Sequence, residues 1–144
     1  MQVFRFMSRE EFRKYYFGET LINTKNHHNE FNQRTNSIGF CFLNLEDFKP
    51  EEAMHFLTGI VNTQICAIFD TDKKLRQTYG RYHCLNEKPK LKVFSNYDEM
   101  IKYENAFIAT EYCTTKYSNK DFKLIRYTAP NWFTDKWKWI FEED

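Results

Sequence analysis

Large apolar side chains alternate with polar ones over several short stretches of this chain and recur at helical spacing over a few others. Residues 2–7 read as a strand with Arg5 at its centre. Ser8 then opens a helix, and Glu11 three positions on completes an S-x-x-E capping box. Phe12, Tyr15 and Tyr16 place rings on one face of 10–17, and Gly18 supplies the stop. Leu21 and Ile22 form a brief apolar touch. The stretch 23–36 is polar, rich in Asn and His, and without period, which predicts a loop. Residues 37–45 predict a strand, and Pro50 suits the first turn of a helix over 51–57. Residues 63–69 predict a β-branched, apolar strand.

Further on, 73–79 reads as a short helix or an excursion, and 80–84 with 90–94 as strands around a turn at 86–89. Asn96 fits the N-cap of a helix over 97–103, with Asp98 and Glu99 in its first turn. Residues 107–117 and 122–127 predict two strands joined as a hairpin by the turn at 118–121. Pro130 interrupts. Trp132, Phe133, Trp137, Ile140 and Phe141 follow at helix-like spacing, in a tail over 131–144 expected to pack on the rest. Strands and helices mixed without regular alternation predict an α+β fold. The expected architecture is a mostly antiparallel sheet with flanking helices around a cleft, in one domain over 1–144.

Composition agrees with a packed domain. At 144 residues the chain can bury a sizeable core. Aromatics make up 19% of it, and only 4 Gly and 3 Pro interrupt it, so rings must supply much of the burial. The net charge of +1 carries no global bias toward nucleic acid. Lys88, Lys90 and Lys92 alternate along one stretch, which suits a solvated face. Cys41 and Cys66 lie in apolar runs and read as buried thiols. Neither a C-x-x-C pair nor zinc-finger spacing of His is present, so no metal site is expected. No stretch approaches membrane-spanning length. The expectation is a soluble, cytoplasmic protein with reduced thiols.

Three polar residues, Arg5, Ser37 and Glu111, sit on or beside stretches that otherwise favour burial. Their order resembles that of the ADP-ribosyltransferase fold family in its Arg-Ser-Glu branch. Phe4-Arg5-Phe6 matches the arginine strand, Ser37-Ile38-Gly39-Phe40 the serine motif, and Glu111 in Thr110-Glu111-Tyr112 the catalytic acid. Asn36-Ser37-Ile38 stands where the family has Ser-Thr-Ser, and Ala109 where it has a Glu or Gln two positions before the acid. The resemblance implies NAD as cofactor. Arg5 would anchor its phosphates, Ser37 and Gly39 would support the nicotinamide site, and Phe40 would stack on the ring. Glu111 would stabilise the oxocarbenium-like charge that develops as nicotinamide leaves. His28, with His27, could orient a substrate or act as a base, since imidazole titrates near neutral pH.

Plainer readings exist for the same residues. Arg5 could pair with Glu111 or another acid across neighbouring strands. Phe40 and Phe42 could be core, and Glu111 an exposed strand residue. Two functions follow, and a third, single-stranded nucleic-acid binding through Tyr and Lys side chains, is opposed by the near-neutral charge. The first is an NAD-dependent transferase that moves ADP-ribose to a protein or nucleic acid. The second is a non-catalytic protein-binding module, of the kind a small phage-encoded inhibitor or accessory protein is. It would grip its partner through the Trp-rich tail and the basic strand. Either way the expected partner is a macromolecule, a protein before a nucleic acid.

Overall fold

A computed structural model describes residues 1–28, 34–46, 50, 65–85, 88–93, 107–131 and 136–141. The elements in chain order are β1 (Gln2–Met7), α1 (Arg9–Tyr16), β2 (Leu21–Ile22), β3 (Asn26–His28), β4 (Arg34–Ile38), β5 (Phe40–Asn44) and β6 (Ile65–Thr71). They continue with β7 (Arg76–Leu85), β8 (Lys88–Val93), β9 (Phe107–Thr114), β10 (Lys116–Tyr117), β11 (Phe122–Asn131) and β12 (Lys136–Phe141). Eight strands form one sheet in the order β12-β11-β6-β1-β5-β9-β7-β8. Every neighbouring pair in it is antiparallel. Two small ribbons, β10–β2 and β3–β4, stand apart from it.

The fold is therefore mainly β, and the expected α+β arrangement of a sheet with flanking helices is overturned. Among the described residues α1 is the one complete helix. The predicted helices over 51–57 and 97–103 lie outside the described residues. Of the apolar tail, read at helical spacing, residues 136–141 are strand β12, hydrogen-bonded to β11 from Arg126↔Phe141 to Asn131↔Lys136; Trp132 and Phe133 lie outside the described residues. The stretch 73–79, read as a helix or an excursion, leads into β7. Two apolar residues three or four apart fit a strand as well as a helix when the run is short, and pairing with a neighbour decides.

The predicted hairpin of 107–117 with 122–127 does not form either. β9 pairs with β5 and β7, whereas β11 pairs with β6 and β12. The turn at 118–121 is real: Ser118 N–H donates to Asp121 Oδ1 at 2.9 Å and Phe122 N–H to the Ser118 carbonyl at 3.0 Å. The chain, however, bends at Thr115, whose carbonyl accepts from Asn23 N–H at 2.9 Å. That bend sends β10 to β2 and delivers β11 to the far side of the central strands. The hairpin of β7 with β8 matches the expected pair of strands around 86–89.

The core lies between α1 and one face of the sheet. Phe42, Phe69, Tyr117 and Phe122 form a four-ring cluster, with Phe42 and Phe122 stacked at 5.0 Å and Tyr117 and Phe122 edge to face at 5.2 Å. Phe42 also meets Tyr117 at 5.5 Å and Phe69 at 6.2 Å. Helix α1 closes over this cluster. Tyr15 packs edge-on to Phe69 at 5.0 Å and donates its hydroxyl to the Phe122 carbonyl, and Phe12 meets Tyr127 at 4.6 Å. Ring pairs in such geometry add to the stabilisation that burial alone provides. The helix is stopped as the sequence requires. Gly18 takes φ +84°, its N–H bonds to the Tyr15 carbonyl at 3.1 Å, and Glu19 N–H bonds to that of Lys14 at 2.9 Å. These two bonds are the Schellman pair.

Candidate functional site

Strand β1 is central and buried on both faces, with Val3 and Phe4 fully enclosed. Arg5 between such neighbours must find partners inside the protein, because an unpaired buried charge is costly. It finds them on α1. The guanidinium grips Glu11 in a two-pronged pair, Nε to Oε2 at 2.7 Å and Nη2 to Oε1 at 2.8 Å. Its Nη1 donates to the Cys41 carbonyl at 3.0 Å. Its Cζ lies 5.2 Å from the centre of the Phe40 ring and 5.9 Å from that of Phe42. The Tyr117 hydroxyl donates to Glu11 Oε2 at 2.6 Å. One carboxylate thus collects three donors from β1 and β10.

The electrostatics follow from this geometry. Burial works against the charge on Arg5, but the hydrogen bond and the negative charge of Glu11 outweigh it, so its pKa is raised and the guanidinium stays protonated. Burial pushes the Tyr117 phenol up, and the adjacent Glu11 charge pushes it further, so the hydroxyl remains a donor.

Glu11 is the residue that sequence reasoning placed in a capping box and in nothing more. Its backbone N–H does bond the Ser8 hydroxyl at 3.1 Å, as that motif requires. Its carboxylate serves the strand instead. The available signal was the short link between Arg5 and Glu11, since a helix that turns back at Ser8 lays its first turn over the strand it has just left.

Glu111 stands elsewhere. Phe4 pairs with Leu43 and Leu43 with Glu111, so these three form one row across β1, β5 and β9. Successive residues of a strand face opposite sides of a sheet. Arg5, the next residue after Phe4, therefore faces α1, while Glu111 faces the other way. Glu111 is almost fully enclosed, and the Thr78 hydroxyl donates to its Oε1 and its carbonyl, both at 3.2 Å. It is neither an exposed strand residue nor the partner of Arg5.

Of the remaining candidates, Phe40 and Phe42 are core residues, and both touch Arg5. Gly39 takes φ +82° at the corner between β4 and β5. A Cβ there would sit 2.6 Å from the Asn23 carbonyl oxygen and closer still to that of Thr114. Only glycine fits, for its backbone angle and for space. Its role is to let β5 begin directly beneath the loop that carries Asn23 and Lys25, whose carbonyl accepts from Gly39 N–H at 3.0 Å. Ser37 and His28 lie in the β3–β4 ribbon, where Asn26 pairs with Ile38 and His28 with Arg34. The structure thus brings Arg5, Gly39 and Phe40 into one region and sets Glu111 on the opposite face of the sheet. Among the described residues no group of His, Cys, Asp and Glu has the arrangement of a metal site, and no helix is long and apolar enough to cross a membrane.

Outside this region, three large apolar side chains near the end of α1 are left in water. Phe17 is 75% exposed, Ile22 68% and Tyr16 53%. The Tyr16 and Phe17 rings meet edge to face at 5.8 Å.

Comparison with protein-family models, with curated proteins and with solved structures finds no match for this chain. Function must therefore be argued from the residues themselves.

Proposed function

We propose that this chain is a non-catalytic protein-binding module that meets its partner with the exposed aromatic ledge at the end of α1. The observation that carries the reading is the exposure of Phe17, Ile22 and Tyr16 within one short segment. Apolar side chains grouped in this way, on a molecule that encloses most of its other described rings, mark an interaction surface. The charges that a catalytic reading would employ are committed internally, Arg5 to Glu11 and Glu111 to Thr78. The test replaces Phe17 and Ile22 by Ser and compares proteins cross-linked to the wild type and to the variant in cells. Surface changes of this kind move stability by less than about 0.5 kcal/mol each. The expected result is an unchanged melting temperature with loss of a specific cross-linked protein. An identical cross-linking pattern overturns the reading.

A second reading, ADP-ribosyl transfer from NAD, is favoured by one observation: Arg5 lies against Phe40 and Phe42 and near Gly39, as the arginine and serine strands of that family would require. It needs Arg5 to exchange Glu11 for a phosphate, and it needs an acid other than Glu111 on the same face. A ligand that binds the native state must stabilise it. Under this reading saturating NAD raises the melting temperature, and Arg5→Lys, which loses the two-pronged grip, abolishes the rise. No shift with NAD removes it.

A further inference from the structure

Three cysteines sit on the sheet face that points away from α1. Cys66 pairs with Phe6 across β6 and β1, and Cys41 pairs directly with Cys113 across β5 and β9. Directly opposed residues of an antiparallel pair have Cα atoms about 4.5 or 5.5 Å apart and side chains on the same face. A disulfide takes Cα separations of roughly 4.4–6.8 Å. The register thus meets the distance requirement in either kind of pair. Cys41, Cys66 and Cys113 are in no disulfide. Cys41 is half-buried, whereas Cys113 is enclosed.

We propose that Cys41 and Cys113 form an oxidation site, closing a cross-strand disulfide between β5 and β9 when a small disulfide oxidant is present. Cys41, the less enclosed of the two, loses its proton and attacks one sulfur of the oxidant. This forms a mixed disulfide and expels the oxidant's other half as a thiolate. Cys113 then loses its proton and attacks the Cys41 sulfur, forming the intramolecular bond and expelling the second half. The two thiol protons end on the two released thiolates, and two electrons pass from the cysteine pair to the oxidant. Burial, with the nearby Glu111 charge, pushes the Cys41 thiol up, and burial does the same for Cys113. The thiolate is the attacking form, so the reaction is slow at neutral pH and faster in mild alkali.

The bond would tie two strands that are distant in sequence, so it restricts the unfolded chain strongly. It would also hold in place the Cys41 carbonyl that Arg5 grips from the other face. The experiment treats the full chain with oxidised glutathione in mild alkali, blocks remaining thiols, and maps the peptides by mass spectrometry. The expected result is a Cys41–Cys113 linked peptide lacking two hydrogens. With it goes a rise in melting temperature of about 5–10 °C that a reducing agent reverses. Cys66→Ser and Cys84→Ser leave both unchanged, and Cys41→Ala removes both. A lasting glutathione adduct on Cys41 beside a blocked Cys113, or a bond from either residue to another cysteine, overturns the proposal. So does full blocking of both thiols after treatment. Because the peptide map is read on the wild type, the proposal stays testable even if a cysteine variant fails to fold.

Discussion

Glu11 and Gly39 show how much a single position carries here. Glu11 satisfies Arg5 and Tyr117 together, so removing its carboxylate strands a guanidinium and a phenol at once. Breaking a buried pair by deleting one partner costs several kcal/mol, and the partial exposure of Arg5 and Glu11, 16% and 14%, reduces that figure. Glu11→Ala is expected to lower stability by about 2–3 kcal/mol, measured by urea unfolding. Gly39→Ala is expected to cost at least about 2 kcal/mol, since alanine at φ +82° is strained and its Cβ meets the Asn23 and Thr114 carbonyls. A loss under about 0.5 kcal/mol would mean that the corner relaxes freely. Arg5 was legible in the sequence as a charge needing a partner. The partner was not, because both an acid three residues beyond a helix cap and acids on distant strands satisfy the same requirement.

At the scale of elements, α1 was the clearest feature of the sequence. Its cap, its glycine stop and the Phe12 and Tyr15 rings of its inward face act locally, within reach of one another along the chain, and are present in the fold, whereas Tyr16, read on the same face, stands exposed. Ser8→Ala removes the hydroxyl that accepts Glu11 N–H and is expected to cost about 1 kcal/mol, seen as a lower urea midpoint at unchanged slope. Strand β6 was legible too, since a continuous apolar run suits a strand buried on both faces. The tail and 73–79 were not: the short apolar run of the tail satisfies both periods, and 73–79 holds too few apolar residues to show either. Pairing of β12 with β11 and of β7 with β9 decides them. The edge strands β8 and β12 carry Lys88, Lys90, Lys92, Lys136 and Lys138, with Pro89 in β8. Lysine and proline on sheet edges discourage further strand addition.

The whole molecule responds to alkali through its buried protonated groups. Cys41, Cys113 and Tyr117 titrate above their ordinary values of 9.0, 9.0 and 10.0, with burial the largest cause for each. The unfolded chain gives up these protons first, so above those values the folded state binds more protons and stability falls as pH rises. The contribution is complete below about pH 8 and is lost progressively from about pH 9 upward. Melting temperatures measured from pH 7 to 11 are expected to decline over that upper range, with a shallower decline above pH 10 in Tyr117→Phe. A flat profile would contradict the enclosure of these groups. The same scale sets which polar residues can meet: a row of pairing that spans three strands places Glu111 away from Arg5, and no local pattern reports that.

By itself the sequence determined where rings are dense enough to build a core and which segment caps and stops as a helix. These depend on neighbours along the chain and on side-chain chemistry. Only the tertiary structure decided the strand order, the partner of Arg5 and the face on which each candidate stands. A strand's pairing depends on contacts distant in sequence, and one step along a strand reverses the direction of every side chain.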